Sequence, residues 1–391
     1  MWAAELSRAC VRIEPLFARW EVHQRAVDYV TGLLSCPGRK NSWWLAEQAG
    51  HVSPDGIQWL LRGAVWSADA LRDEVQAYVG ERFADRQAVL VIGEAAFVKR
   101  GRKSVGVARQ VDPATGRVEN CQLALFAGYA GMHGCALVDR ELYLPAREWA
   151  DDEERRADAG VPSSVAFASR AELAARMVGR TIGSGLPVRW VVAGQLGTDC
   201  RTLRERCAAL GLPCAFEIAP DQPLSVGAGR VSSARSLAAR LPDLAFEPAT
   251  TGAAEDGIWA LLRLGPAAAA GEGERLLLVG RRTGGAADAA YYFATAPEGT
   301  TLGELLRVVA ARSALVDSLD AARRETGLDD YEVRKWHPWY RHVSLSMLAF
   351  ACMRAVRAGG ATVDDLDPVQ SEHDVTATSI PVVATCPSSG G

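Results

Sequence analysis

The sequence lacks the features that mark a disulfide-rich, zinc-binding or strongly basic protein. Its nine cysteines are an odd number, and no two of them form a Cys-x-x-Cys pair, which argues against a disulfide framework and against a zinc site. Lysine and arginine do not outnumber the acids, since the formal net charge is -4 at pH 7. The molecule as a whole therefore has no positive excess that would indicate nucleic-acid binding, and any such surface has to be local.

Long apolar runs are also lacking. No stretch reaches the roughly 18 consecutive apolar residues that a membrane-spanning helix needs. The opening residues MWAAELSRACVRIEPLF contain two acids and two arginines but no continuous apolar core, so they are not expected to form a secretory signal. These absences predict a cytoplasmic protein with reduced thiols and no membrane partner. The excess of Ala, Arg and Gly is typical of a GC-rich bacterial genome.

The residues that are present predict helices first and strands afterwards. Apolar residues recur at helical spacing in RAVDYVTGLL and SADALRDEVQAYVGERF, which predicts an all-helical N-terminal domain over residues 1–82. From AVLVIG at residue 88 the pattern changes to three hairpin-like strands, followed by a helix, a strand, a second helix and a fifth strand. This order predicts an α/β fold with an RNase H-like mixed sheet flanked by helices, in which strands one, four and five lie side by side.

Three further segments complete the predicted organisation. The first part of the RNase H-like core spans residues 83–220, and Gly/Ala-rich turns with short apolar strands predict a β-rich insertion over 221–300. Two apolar helices over 301–358 close the core. The tail at 359–391 is poor in core-forming residues and is predicted to be disordered.

Several segments carry a more specific pattern. They are RKNSWWLAEQAG, SPDG, KRGRKSVGVARQ, GRVENCQLALF, DRELYLP, AGVP, ELAARM, GLDDYEVRKW and WYRH. In these segments, across residues 5–355, the chain resembles the DDE-superfamily transposases of bacterial insertion sequences. The resemblance implies three carboxylates, at the end of strand one, after strand four and on the helix after the insertion. Such carboxylates hold two Mg²⁺ ions, which activate water and stabilise the leaving oxygen of a phosphodiester.

None of the three positions carries an acid in this chain. The first aspartate of the family falls on Gly93, the second on Gly194, and the glutamate on Val316. The family signature Y-x2-R-x3-E-x6-K on the catalytic helix falls on Val309, Arg312, Val316 and Arg323. The resemblance therefore implies a full-length transposase scaffold without its two-metal nuclease site, and we expect no metal there and no cofactor.

Neighbouring acids are poor substitutes for the missing ones. Glu94 and Asp317 each adjoin one of the three positions, but a shift of one residue turns a strand side chain to the opposite face and rotates a helical one by about 100°. We expect Val316 to pack into a collapsed pocket. The alternative is a retained pocket with a new ligand, whose candidate residues are Glu94, Gln195, Asp199, Asp317 and His337.

Basic residues cluster beside the first strand and around the final helices. In the family such residues lie close to DNA, and phosphate binding is the functional interpretation. A solvated surface is the structural alternative. The candidate DNA-binding residues are Arg39, Lys40, Lys99, Arg100, Arg102, Lys103, Arg312, Arg323, Arg334 and Lys335.

Three functions remain open from the sequence. The first is a transposase-derived protein that binds double-stranded DNA or a protein partner without cutting DNA. The second is an enzyme of unrelated chemistry, for example in natural-product biosynthesis, that takes a small-molecule substrate in the former metal pocket. The third is an active Mg²⁺-dependent transposase that uses the shifted acids.

Overall fold

The computed structural model describes residues 2–35, 38–197, 200–226, 230–249, 257–266, 273–282 and 289–359. The chain divides into two compact units, and each is described by itself. The helical unit comprises Met1–Glu74, Ala322–Glu332 and His337–Gly391, and the sheet unit comprises Val75–Ala321 and Val333–Trp336. The predicted disordered tail lies, from residue 360 onward, outside the described residues, and the five-part division of the chain stays a prediction.

The helical unit is built around one buried helix. Its helices are α1 (Trp2–Ile13), α2 (Trp20–Ser35), α3 (Ser42–Gln48), α4 (Asp55–Arg62), the first turns of α5 (Ala68–Phe83) and α11 (Trp336–Ala358) from its second residue onward. Helix α11 is buried around its whole circumference between Val343 and Cys352. A helix that is apolar on all sides belongs in a core, so α11 is the centre of this unit rather than part of its surface.

Polar side chains of α11 hold the neighbouring segments in place. The guanidinium of Arg341 donates to the carbonyl oxygens of Leu61, Ala64 and Trp66 at 3.0, 2.6 and 2.9 Å. These carbonyls lie at and just beyond the C-terminus of α4, where helix geometry leaves acceptors without partners. Buried His342 contacts the Tyr29 hydroxyl at 2.7 Å through Nδ1. Both groups are therefore part of the internal structure of the unit.

The sheet unit contains a ten-stranded mixed sheet among the described residues. Its strands are β1 (Val89–Val98), β2 (Ala108–Val111), β3 (Val118–Gly131), β4 (Gly134–Leu142), β5 (Trp190–Ala193), β6 (Cys214–Glu217), β9 (Glu247–Pro248), β10 (Gly257–Pro266), β11 (Glu274–Arg282) and β12 (Ala289–Ala296). Strands β7 (Pro223–Ser225) and β8 (Val231–Ser233) form a separate pair. The order in the large sheet is β2-β3-β1-β5-β6-β12-β11-β10-β9, and β4 also pairs with β3.

The strand register confirms the predicted mixed sheet. Strand β1 pairs antiparallel with β3 and parallel with β5, and β5 pairs parallel with β6. The three parallel strands are the ones that the sequence predicts to lie side by side. The strands of the predicted insertion do not form a sheet of their own, because β12 pairs antiparallel with β6 and extends the same sheet through β11, β10 and β9.

Besides the last turns of α5, five helices accompany the sheet in the described part of the unit. They are α6 (Glu153–Asp158), α7 (Arg170–Gly183), α8 (Arg201–Ala209), α9 (Ala234–Ala238) and α10 (Leu302–Thr326), the last of which ends in the helical unit. Helix α7 packs on β3 and β4 and starts with a capping box, in which the side chains of Ser169 and Glu172 each bond the backbone amide of the other. None of the described helices is both long and apolar enough to cross a membrane.

Candidate functional site

A leucine from α10 fills the space in front of Gly93. Gly93 lies in β1, and Gly128 lies in the adjacent strand β3, opposite Val91. A Cβ atom built on Gly93 would lie 2.8 Å from Leu315 Cδ2, and one built on Gly128 would lie 2.9 Å from Leu315 Cδ1. Leu315 is only 2% exposed. The two glycines thus form a pit that Leu315 occupies, and a carboxylate at position 93 would have to displace it.

The space in front of Gly194 is occupied by a cation. Gly194 directly follows β5, and a Cβ atom there would lie 3.1 Å from Arg312 Nη2 on α10. Arg312 is held from the other side by Glu217 of β6 at 2.6 Å and by the Tyr292 hydroxyl of β12 at 2.5 Å. Glu217 and Tyr292 therefore fix the guanidinium at the carboxyl end of the central parallel strands.

The prediction that Val316 packs into a collapsed pocket is wrong. Val316 is 57% exposed, whereas its neighbour Leu315 is buried. Successive residues of an α-helix are rotated by about 100°, so only one of the two can point at the sheet. The helical phase of α10 turns Leu315 toward the sheet. Val316, the position that the resemblance assigns to the glutamate, faces solvent.

Glu94 lies on the opposite side of β1 from Gly93, as strand alternation requires. Its side chain is only 8% exposed, and both carboxylate oxygens accept hydrogen bonds from Arg170 at 3.1 Å. Burial raises the pKa of the Glu94 carboxyl, and the charge and hydrogen bonds of Arg170 act in the opposite direction. Arg170 also lies 5.9 Å from the centre of the Tyr143 ring. The Glu94 carboxylate is therefore paired with Arg170, the first residue of α7.

The other candidates for a new pocket are dispersed. Gln195 and Asp317 are exposed, and Asp199 lies outside the described residues. His337 belongs to the helical unit, where partial burial and Arg341 lower its pKa. Within the part of the chain that the structure describes, no three His, Cys, Asp or Glu side chains group as metal ligands.

Two of the basic groups, far apart in the sequence, lie on neighbouring backbone segments of the sheet unit. The loop after β1 carries the exposed Arg100, Arg102 and Lys103, and the amide of Val105 in this loop donates to the carbonyl oxygen of Arg334 at 2.9 Å. Arg334 and Lys335 are exposed as well, and the Lys335 ammonium, unlike that of the buried Lys40, donates to a carbonyl oxygen, that of Asp158, from an exposed position. The structure therefore brings these cations together, which the sequence alone did not establish.

Anchors outside the predicted set hold this basic loop. Arg155 of α6 donates to the carbonyl oxygens of Arg102 at 3.1 Å and Val107 at 3.0 Å, and its guanidinium lies 4.1 Å from the centre of the buried Trp149 ring. The Asn120 side chain donates to the carbonyl oxygen of Gly101 at 3.1 Å. These contacts fix the backbone of the loop and leave its cationic side chains exposed.

The structure separates the remaining DNA-binding candidates. Lys40 does not fit the prediction: it is 3% exposed and its ammonium donates to the carbonyl oxygen of Glu325, so it cannot reach a phosphate. Arg39 is exposed and lies 3.6 Å from Glu332. Lys99 and Arg323 are half-buried, and Arg312 is held by Glu217.

The pit between Gly93 and Gly128 was not predicted, although the sequence contains an indication of it. An isolated glycine inside a strand pattern, such as Gly128 in LALFAGYA, indicates close approach of another group. Together with Gly93 on the next strand it predicts a pit in the sheet. Nothing in the sequence indicated Arg170 as the partner of Glu94, because the two residues lie far apart along the chain.

The family comparison agrees with this fold. The family model described as DDE superfamily endonuclease matches residues 13–255, which includes Gly93 and Gly194 and ends before α10. A search of the curated proteins gives no match. The match covers more than half of the 391 residues, and the fold has the mixed sheet that the resemblance implies. The chain belongs to the DDE superfamily endonuclease family.

Proposed function

We propose that this chain is a transposase-derived protein that binds double-stranded DNA and does not cut it by a two-metal mechanism. The observation that carries the proposal is the position of Leu315 in the pit between Gly93 and Gly128. Mg²⁺ needs oxygen ligands, and a methyl group in van der Waals contact with the strand supplies none. A buried leucine at this point supports a loss of the metal site rather than a shift of it.

The surroundings of Gly194 support the same conclusion by charge. Arg312 places a positive group in front of the position that the resemblance assigns to the second aspartate. A guanidinium and a metal ion repel each other, most strongly where water is partly excluded. The carboxylate beside it, Glu217, is already paired with that guanidinium at 2.6 Å.

DNA binding is supported by the basic surface of the sheet unit, defined by Arg100, Arg102, Lys103, Arg334 and Lys335. These side chains are exposed and their backbone segments are joined by the hydrogen bond from Val105 to Arg334. Cations that neutralise phosphates release counterions from DNA, so binding through them weakens with salt. A local surface of this kind is compatible with the net charge of -4.

The binding experiment compares two fourfold variants by fluorescence anisotropy of a labelled duplex across a salt series. Arg102→Gln/Lys103→Gln/Arg334→Gln/Lys335→Gln removes most of the basic surface. Arg117→Gln/Arg189→Gln/Arg230→Gln/Arg240→Gln removes the same charge from exposed arginines elsewhere in the sheet unit. In the first variant only, we expect the slope of log affinity against log salt to fall by about one for each phosphate that is no longer neutralised.

Two results would contradict the DNA-binding proposal. One is the absence of duplex binding by the unsubstituted chain at low salt, and the other is an equal loss of affinity in both variants. The loss of cleavage is tested separately with supercoiled plasmid and Mg²⁺ or Mn²⁺. We expect no nicking. Metal-dependent nicking by the purified chain would overturn this part, and its loss in Glu94→Gln would assign it to the shifted acids.

The second hypothesis, an enzyme of unrelated chemistry that binds its substrate in the former metal pocket, has less support. A pocket with converging polar groups would favour it there, whereas an apolar plug argues against it. Leu315 is such a plug on one side of β1, and Arg170 neutralises Glu94 on the other. A small-molecule site, if the chain has one, has to be sought elsewhere.

A further inference from the structure

A cavity of about 370 Å³ lies in the sheet unit, and neither Gly93 nor Leu315 is among its lining residues. It is bounded by the end of β4, the segment just before α7, the first turns of α7 and Trp336. Its volume is at the lower end of the range of about 300–1,000 Å³ that is typical of small-molecule sites. Nothing in the proposed DNA contacts uses this cavity.

The walls of the cavity are held in place by hydrogen bonds to the backbone. The amide of Trp336 donates to the carbonyl oxygen of Ala159 at 2.9 Å, and the amide of Val165 donates to that of Pro162 at 3.0 Å. The guanidinium of Arg156 donates to the carbonyl oxygen of Val165. A cavity with fixed walls loses little conformational entropy on binding, which favours affinity for a ligand of matching shape.

Seven of the ten lining residues are apolar, and one of these seven is a tryptophan. Leu142, Leu144 and Leu173 contribute aliphatic wall, and Trp336 contributes an indole. Tryptophan offers a broad face for stacking of a planar group. The lining therefore suits a ligand whose body is planar and apolar.

The two charged residues of the lining are not equivalent. Glu141 accepts from Arg180 at 2.6 Å, and Arg180 also donates to Asp139 at 2.9 Å, so the Glu141 carboxylate is already compensated. Arg176 makes no hydrogen bond or ion pair within the described ranges.

The acid that precedes Arg176 on α7 does not bind it directly. Glu172 accepts from the amide and the hydroxyl of Ser169 at 2.7 and 2.8 Å, and these bonds lower its pKa most, with a smaller effect from the charge of Arg176. The N–H donors of the Arg176 guanidinium are therefore available to a ligand. Of the two charged lining residues, the one without an ion pair is positively charged.

From this combination we infer that the cavity binds a small molecule with a planar apolar body and one anionic group, a carboxylate, sulfonate or phosphate. The indole of Trp336 and the leucines take the body, and the guanidinium of Arg176 takes the anion. Arginine suits this role because its planar donors match the oxygens of such groups in pairs. The inference is independent of DNA binding, since Arg176 is not part of the basic surface.

The test uses 2-naphthoate as the probe and isothermal titration calorimetry on the full chain. We expect saturable binding with a stoichiometry of one, and at least about tenfold weaker binding of the uncharged analogue 2-naphthalenemethanol. Arg176→Gln should weaken naphthoate binding by at least about tenfold and leave the affinity for the uncharged analogue unchanged. Arg176 is exposed on its helix, so this substitution does not threaten folding.

Two more variants make the result specific to the cavity. Ala166→Phe places a ring into the cavity from an exposed lining residue and should abolish binding of both compounds. Arg117→Gln removes an exposed arginine from the turn before β3 and should change neither affinity. The inference is overturned if naphthoate shows no saturable binding up to millimolar concentration. It is also overturned if Arg176→Gln and Arg117→Gln bind naphthoate equally well.

Discussion

The two faces of strand β1 have been closed by different means. On one face Gly93 has no side chain, and Leu315 from α10 fills the space by shape. On the other face Glu94 keeps its carboxylate, and Arg170 from α7 satisfies it by charge. One residue along a strand thus separates an apolar contact from an ion pair. The difference explains why Glu94 cannot stand in for an acid at position 93, since the two side chains face different helices.

The largest expected effect comes from putting an acid on the apolar face. Gly93→Asp forces a carboxylate against Leu315, so it combines overpacking with burial of a charge that has no partner there. We expect the free energy of unfolding to fall by about 3–5 kcal/mol, as measured by urea denaturation.

The matched control for Gly93→Asp is Gly303→Asp. Gly303 lies in the first turn of α10, and a Cβ there would have no atom within 4 Å. An acid near a helix N-terminus is tolerated or slightly stabilising. A loss below about 1 kcal/mol for Gly93→Asp would mean that Leu315 does not fill the pit.

A double-mutant cycle isolates the contact itself. Leu315→Ala leaves a cavity and should reduce the free energy of unfolding by about 2–5 kcal/mol, and Gly93→Ala alone should reduce it by about 1–3 kcal/mol through crowding. In the Leu315→Ala background the methyl group at position 93 has room, so the double variant should be more stable than the sum of the two losses predicts. Additive losses within about 0.5 kcal/mol would show that the two residues do not interact.

The smallest effect is expected on the charged face and depends on pH. Burial raises the pKa of Glu94 above its unfolded value despite the ion pair with Arg170, so the protonated form favours the fold more than the ionised form does. Its contribution is fully present below the unfolded pKa near 4.5 and is lost as the pH rises through the higher folded pKa. Glu94→Gln does not titrate, so wild type should lose stability relative to this variant over that window.

The measurement for Glu94 is a set of urea denaturation curves from pH 4 upward, compared between wild type and Glu94→Gln. Asp317→Asn, which removes an exposed acid on α10, serves as the reference variant. A difference between wild type and Glu94→Gln that is constant with pH, or of the opposite slope, would contradict a raised pKa at Glu94.

The central part of the fold could be predicted because local patterns and connection rules agree. The order of β1, β5 and β6 follows from apolar strands joined by helices, and the start of α7 follows from Ser169 and Glu172. The extension of the sheet beyond β6 could not be predicted. It depends on how β12 pairs, and the pattern of apolar residues does not specify a pairing partner.

The details of the candidate site could not be predicted from the sequence. The assignment of the site to Gly93, Gly194 and Val316 rests on the resemblance and stays a prediction, whereas the phase of α10 decides between two adjacent apolar residues, and only the packed helix shows that Leu315 points inward. Lys40 was misassigned because a long aliphatic stem can be buried while the ammonium still finds a carbonyl oxygen. The meeting of the loop after β1 with the segment at Arg334 depends on tertiary structure alone.

The fit of Leu315 between two glycines also limits the order in which substitutions at these positions can be accepted. An acid at position 93 would require either the acid first, against Leu315, or a smaller residue at 315 first, with a cavity left behind. Both orders pass through a less stable protein, and position 194 adds a second obstacle because Arg312 stands in front of it. The contact therefore allows substitutions on the exposed face of α10, where Val316 lies, and opposes the stepwise introduction of an acid on its inner face.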